Sequence, residues 1–163
     1  MSQFTATPPV STPITGKEGA LEADRPLGAL RAFYRAFNTA DMALMAQNWL
    51  QAPEAAMSNP LGGIKRGWPE IQSVYQNIFH GPATVYVEFH DYTLFQDGAF
   101  FQAVGRERGL LVIGATTLEL KIRTSRSYVL HEGAYRQLHH HGSMDDAALL
   151  ARYQAAVLRG QTP

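Results

Sequence analysis

The segment Ala134–Met144, "AYRQLHHHGSM", lies near the end of a chain of 163 residues and contains aromatic residues and three consecutive histidines. Three earlier segments are also rich in β-branched and aromatic residues, which is typical of strands. They read "ATVYVEFHDYTLF" from Ala83, "AFFQAVGRER" from Ala99 and "TTLELKIRTSRSYVL" from Thr116, with turn sequences "QDG" and "HEG" in the series. The pattern predicts long antiparallel strands, of which "AYRQLHHH" at 134–141 is the last.

Helical periodicity precedes these strands. A first helix is expected to begin near Pro26, and its buried stripe follows the spacing i, i+3, i+4, i+7 at Leu30, Phe33, Tyr34 and Phe37. Asp41 predicts the cap of a second helix, and "WPEIQSVYQNIF" from Trp68 predicts a third. The intervening "MSNPLGGIKRG" is turn-rich and predicts a bend between short strands.

Together these elements predict one α+β domain over residues 26–143, in which a curved antiparallel sheet wraps around the helices. Residues 1–25 are rich in Thr, Pro and Gly without periodicity, which predicts a flexible tail. Ser143 stands three residues before Asp146 in a capping-box-like arrangement, which predicts a C-terminal helix over 144–160 and a short tail at 161–163.

Composition excludes several functions. Lys plus Arg and Asp plus Glu both total 14, and no long basic run indicates a nucleic-acid or anionic-membrane partner. The absence of cysteine excludes disulfides, thiolate nucleophiles and cysteine-ligated zinc. With no signal-peptide or membrane-span pattern, a cytoplasmic protein without a cofactor is expected.

Motifs within the last strand point to a family. "EGAYRQLHHHGS" at 132–143 is similar to the pattern acidic-Gly-x-Trp-x-x-x-His-x-His-x-Ser, with matches at Gly133, His139, His141 and Ser143, while Tyr135 replaces the tryptophan. Through it, residues 26–143 resemble the nuclear-transport-factor-2-like superfamily. That superfamily includes SnoaL-like proteins, ketosteroid isomerases and the association domain of calcium/calmodulin-dependent protein kinase.

Further matches to this superfamily lie at "NTAD" from Asn38, at "NPLGG" from Asn59 with the following "RG", and at Arg126, where family members keep a pocket-facing arginine. The resemblance implies a cone-shaped fold, a pocket between sheet and helices, and dimerisation through the outer face of the sheet. It implies no particular reaction, because one fold hosts enzymes, scaffolds and binding proteins.

Ketosteroid-isomerase chemistry is disfavoured. The resemblance places Asn59 at the position of the family's general base and Phe33 at that of its tyrosine donor, and an amide does not take up a proton. Tyr34 is one position away, about 100° around the helix. An unrelated base, Glu88, His90 or Asp91, is left open, and Asn59 is also an ordinary turn residue before proline.

Strict alternation along the last strand places Tyr135, Gln137, His139, His141 and Ser143 on one face, and Arg136, Leu138 and His140 on the other. Two histidines at i, i+2 are insufficient for a stable metal site, so a metal-free polar pocket wall is favoured. The alternative is that His139 and His141 form hydrogen bonds in a dimer interface or with the C-terminal helix.

Arg126 shares its predicted face with apolar and aromatic residues, and a buried guanidinium needs a partner. Glu88, Glu119 or an anionic ligand is expected, and arginine suits a carboxylate. The predicted ligand-binding residues are Arg126, His139, His141, Tyr128, Asn59, Tyr34, Trp49 and Tyr92.

Three functions follow from these residues. The favoured one is a homodimer whose pocket binds a small molecule, with a carboxylate-bearing ligand expected. The alternative is an enzyme of the SnoaL-like kind, a cyclase, isomerase or hydrolase that uses His139 or His141 as acid or base, and it requires a histidine or carboxylate that faces open volume. An association module is the third hypothesis.

Overall fold

A computed structural model describes residues 3–159, except for the side chain of Arg159. The helices are α1 Pro26–Asn38, α2 Met42–Asn48, α3 Gly67–His80 and α4 Ala147–Arg159. The strands are β1 Thr5–Ala6, β2 Ala56–Ser58, β3 Lys65–Arg66, β4 Thr84–Asp97, β5 Phe100–Ile113, β6 Thr116–His131 and β7 Ala134–Met144. The predicted α+β fold is confirmed. The predictions for residues 160–163 lie outside the described residues.

The strands form one sheet in the order β1-β4-β5-β6-β7-β2-β3. The long strands β4 to β7 pair antiparallel, as predicted, but β2 runs parallel to β7, with Met57 opposite His140. The sheet is therefore mixed and not purely antiparallel. The parallel pair arises because β2 enters the sheet from the helical layer and not through a hairpin.

The sheet curves because its long strands bend at irregular positions. In β4 the register shifts between His90 and Thr93, and Asp91 has a φ of 50°. Across from this bulge, a Cβ at Gly105 would lie 2.8 Å from the Cβ of Tyr92, so only glycine fits there. Bulges bend strands and increase their twist, which wraps the inner face around the helices.

The N-terminal segment is ordered along the sheet edge. Thr5 and Ala6 pair with β4, Val10 forms a bridge with Tyr92, and Ile14, only 2% exposed, forms a bridge with Phe89. The prediction of a flexible tail over 1–25 is therefore wrong for this segment. Its backbone covers the edge of β4, and hydrogen bonding to that edge compensates for the weak local pattern.

The C-terminal helix begins later than predicted. Asp146 accepts a hydrogen bond from the Leu149 amide at 2.7 Å, which makes Asp146 the capping residue of α4. Ser143 and Met144 still pair with β6 and belong to β7. The predicted start at residue 144 is wrong because strand pairing outcompetes the capping-box pattern.

The core lies between the helices and the inner face of the sheet. The predicted stripe of α1 is largely buried there, with Leu30, Phe33 and Tyr34 no more than 1% exposed. Asp41 caps α2 as predicted, since its carboxylate accepts from the Leu44 amide at 2.9 Å. In residues 3–159 no helix has the length and apolar character needed to cross a membrane.

Candidate functional site

A bulge in β7 decides which histidine faces the interior. Ser127 pairs with His139 but Tyr128 pairs with Gln137, so Leu138 is an extra residue in β7. Tyr135 and Gln137 point inward before the bulge, whereas the buried positions after it are His140, Gly142 and Met144. The prediction that His139 and His141 share the face of Gln137 is wrong because the bulge inverts the alternation.

His140 therefore lies beside Arg126, its direct partner across β6 and β7. Its Nδ1 lies 3.3 Å from the carbonyl oxygen of Ser125. Because a carbonyl only accepts, this hydrogen bond requires the proton on Nδ1 and leaves Nε2 as an acceptor. Burial, and secondly the charge of Arg126, hold the pKa of His140 well below its usual range, so the ring is neutral near pH 7.

Arg126 is buried, and its partner is Glu107. The Nη2–Oε1 distance is 2.7 Å, and both side chains are less than a tenth exposed. The hydroxyl of Tyr34 donates to the same carboxylate oxygen at 2.8 Å and accepts from Nε of Arg126 at 3.2 Å. The expected partners Glu88 and Glu119 are thus wrong, because β5 places Glu107 on the inner face.

Further groups fix the guanidinium in place. Its Nη1 donates to Oε1 of Gln137 at 2.8 Å, and the Phe33 ring lies 3.5 Å from its central carbon. Gln137 in turn donates to Asn48, which also accepts from the hydroxyl of Tyr128. Although burial alone lowers it, the pKa of Arg126 is raised overall by these surroundings, Tyr34 and Glu107 foremost, so the charge persists.

These groups border a cavity of about 410 Å³ between the inner face of the sheet, α1, α3 and α4. Polar side chains that line it include those of Tyr75, Glu107, Arg126, His140 and Tyr153. Burial raises the pKa of Tyr75 to about 12, so its hydroxyl stays protonated as a donor. Most of the other lining side chains are apolar, among them Phe33, Phe37, Met57, Val74, Ile78, Val85, Val87, Leu111, Ile113, Leu120, Ile122 and Val157.

Glu107 presents one free oxygen. Both of its side-chain hydrogen bonds within the described residues fall on Oε1, from Tyr34 and Arg126. Oε2 therefore has no hydrogen-bond donor among the described residues. Glu107 also lines the cavity. The site thus combines a positioned carboxylate and a neutral histidine with an apolar wall, the usual design of a small-molecule pocket.

The other predicted residues are scattered relative to this cavity. Arg126 and Asn59 line it. Tyr34 and Tyr128 lie behind it in the hydrogen-bond network, while Trp49 and Tyr92 are core residues outside the lining.

His139 and His141 lie on the outer face, with ring centroids 6.5 Å apart. His141 borders a shallow groove there with Arg106, Arg123 and Ser143. Within the described residues, no group of three or more histidine, aspartate or glutamate side chains is arranged to hold a metal ion.

The alternative bases also face away from the cavity. Glu88 accepts from the hydroxyl of Tyr86 at 2.8 Å and lies 3.0 Å from Nε2 of His90. Neither Glu88 nor His90 lines the cavity. Asp91 occupies the β4 bulge and lies 3.5 Å from Arg106.

Sequence reasoning missed Glu107, His140, Gln137, Tyr75 and Tyr153. Alternation did place Glu107 on the face of Phe101 and Ala103, both buried, so the strand pattern held the signal for that residue. No local signal marked the β7 bulge, and strict alternation without it places His140 on the outer face.

The sequence of residues 27–147 matches the family profile of the SnoaL-like domain, which covers more than half of the chain. The chain belongs to the SnoaL-like family. A search of curated proteins gave no match for this SnoaL-like chain.

Solved structures share the fold of this SnoaL-like protein. A proposed dehydratase of the nuclear-transport-factor-2-like family from Streptomyces avermitilis is 17% identical, with a TM-score of 0.67 over 73% of this chain and 92% of that one. A proposed calcium/calmodulin-dependent protein kinase type II association domain from Thiobacillus denitrificans is 22% identical, with a TM-score of 0.61 over 74% and 95%.

A protein with a cystatin-like fold from Caulobacter vibrioides is 19% identical, with a TM-score of 0.61 over 85% of this chain and 98% of that one. At such identities the three likenesses show the fold alone.

Proposed function

We propose that this SnoaL-like protein is an enzyme that transfers a proton on a small, largely apolar carbonyl compound bound in the inner cavity. Glu107 acts as the general base. The observation that carries the proposal is the carboxylate of Glu107, anchored through Oε1 and free at Oε2, beside an apolar cavity.

Charge balance favours Glu107 over His140 as the base. When Glu107 takes a proton from carbon, its negative charge moves to the carbonyl oxygen of the substrate and stays beside Arg126, so the total charge of the site is unchanged. Protonation of His140 would instead add a second buried cation beside Arg126, which is unfavourable. His140 is better suited to accept a hydrogen bond from the substrate through Nε2.

The donors for the developing oxyanion are also at hand. Tyr75 keeps its proton near neutral pH, and Arg126 has five N–H groups, of which three are engaged by Tyr34, Gln137 and Glu107. Fixed donors in a site of low dielectric constant stabilise a developing negative charge. Removal of a proton next to a carbonyl group is also a step of many dehydrations, the activity proposed for the relative from Streptomyces avermitilis.

Deuterium uptake tests the proposal directly. The protein is incubated in D₂O with small apolar ketones, 1-tetralone among them, and deuterium at the α-carbon is followed by mass spectrometry. The wild type is expected to accelerate exchange, and E107Q to lose roughly 100-fold or more, because general-base catalysis is worth about that much. E119Q is the matched control, since Glu119 is exposed on the same sheet.

H140Q separates the two roles. If His140 only accepts a hydrogen bond that positions the substrate, H140Q loses less exchange activity than E107Q, and the loss is seen mainly as a higher KM. The enzyme proposal is wrong if, for every ketone that binds, the wild type catalyses deuterium exchange no faster than E107Q. Ligand binding without catalysis would then be the remaining function.

We also propose a homodimer formed through the outer face of the sheet. On β5 this face exposes Val104, Leu110 and Val112, each about 40% exposed or more, and exposed hydrophobic side chains favour a protein partner. Light scattering of the wild type is expected to show a dimer, and L110E to shift it toward monomer. A monomeric wild type, or a larger ring, contradicts the proposal.

A further inference from the structure

We infer that the inner cavity selects uncharged ligands and rejects carboxylates, an inference that rests on the proposed function only in using the same cavity. It replaces the expectation that Arg126 binds a carboxylate-bearing molecule. The central observation is that Glu107 already supplies the carboxylate for Arg126, at 2.7 Å.

The buried charges of the cavity cancel. Among its described lining residues, Lys65, Glu107 and Arg126 carry charge, and Glu107 and Arg126 form one buried ion pair. A ligand carboxylate would therefore enter a site without net positive charge in its interior. Its desolvation would go uncompensated, because a buried charge needs its own opposite charge.

Most donors of Arg126 are already engaged. Each of its three nitrogens donates to a protein oxygen, on Tyr34, Gln137 or Glu107, and the Phe33 ring covers one face of the guanidinium. Two N–H groups remain, one on Nη1 and one on Nη2. A ligand carboxylate that accepted from them would share the guanidinium with Glu107, whose charge already balances that of Arg126.

Two unengaged polar atoms at the site are acceptors. Oε2 of Glu107 has no protein donor among the described residues, and Nε2 of His140 carries a lone pair when Nδ1 donates to Ser125. A ligand carboxylate would bring only further lone pairs to these atoms. A ligand with an N–H or O–H group satisfies them, which favours neutral hydroxyl- or amide-bearing molecules.

Lys65 does not alter this balance. It lies on the short edge strand β3, is exposed, and borders the cavity from the solvent side. An exposed ammonium interacts weakly with a ligand charge because water and salt screen it. Selection is thus made by the buried ion pair.

Two probes of nearly the same shape test the inference. 2-Naphthamide and 2-naphthoate differ mainly in charge, and their binding to the full chain is measured by isothermal titration calorimetry at pH 7.5. The wild type is expected to bind 2-naphthamide at least about tenfold more tightly, because the carboxylate would be buried beside Glu107. Equal affinities, tighter binding of 2-naphthoate, or binding of neither probe would overturn the inference.

The variant E107Q sharpens the test. It leaves Arg126 uncompensated, so 2-naphthoate is expected to gain about tenfold or more and become the preferred ligand. K65M is the control and keeps the wild-type preference; a preference that depends on Lys65 would contradict the argument. Should E107Q not fold, as judged by circular dichroism, the wild-type comparison still decides.

The two proposals fail separately. Loss of charge selectivity appears in binding, whereas failure of the proposed enzyme appears as absent deuterium exchange with ketones that do bind. A protein that prefers 2-naphthamide but exchanges nothing keeps this inference and loses the enzyme.

Discussion

The two faces of the central sheet carry similar residues in opposite circumstances. On the inner face, Arg126 and Glu107 are 3% and 7% exposed and 2.7 Å apart, whereas on the outer face Arg106 is 44% exposed and 3.5 Å from Asp91. The inner pair is dehydrated and held by further hydrogen bonds, while water screens the outer one. The same chemistry is therefore expected to matter for stability and function on one face alone.

Removal of one arginine from each face gives the largest expected difference. R126M leaves the Glu107 carboxylate buried without a partner, and we expect a loss of about 3–5 kcal/mol in the free energy of unfolding. R106M should cost no more than about 1 kcal/mol, because exposed pairs contribute little. Urea denaturation of both variants measures the contrast.

The double variant R126M/E107Q tests the cause of that loss. If an unpaired charge is responsible, the double variant is more stable than R126M, because no buried charge remains. A double variant less stable than R126M would show that packing around Arg126, and not its charge, dominates.

Two tyrosines give a smaller contrast between the faces. Tyr34 donates to the buried carboxylate of Glu107, and Tyr86 donates to that of the part-buried Glu88, both at 2.8 Å. We expect Y34F to lower the free energy of unfolding by about 1.5–3 kcal/mol and Y86F by less than about 1 kcal/mol. Equal losses in urea denaturation would mean that burial does not separate the two faces.

The smallest expected effect is the pH dependence of stability that comes from His140. Its pKa is lowered by burial, so below pH 6.5 the unfolded chain takes up a proton that the folded chain does not. Stability from this group is complete above that pH and falls on acidification, by at most about 1.4 kcal/mol per pH unit.

H140Q should flatten this part of the profile between about pH 6.5 and 5. H131Q, at a histidine whose side chain is 55% exposed, serves as the control and should leave the profile unchanged. If H140Q and the wild type lose stability in parallel, His140 is not the group responsible.

The sequence predicted most of the fold because its signals are local. Helical spacing marked α1 and α3, and β-branched and aromatic runs marked β4 to β7. The N-terminal segment escaped prediction because Val10 and Ile14 are ordered by Tyr92 and Phe89 at the edge of β4, which are distant partners in the chain.

The candidate site was predicted only in part. Arg126 was placed correctly on the inner face, but its partner Glu107 lies on another strand and is chosen by register. The histidines were assigned to the wrong faces because one extra residue, Leu138, shifts the alternation by a single position. A shift of one residue inverts every side chain that follows it in a strand.

Nuclear magnetic resonance of the histidine rings tests the central claim, that His140 and not its neighbours lies inside. In the protein labelled with ¹⁵N-histidine, H140Q assigns the His140 signals by their loss. We predict a neutral ring with the proton on Nδ1 that stays neutral well below pH 6.5, and shifts when 2-naphthamide binds. A His140 ring that protonates near pH 6.5 and ignores the probe, while His139 or His141 responds, would contradict the account.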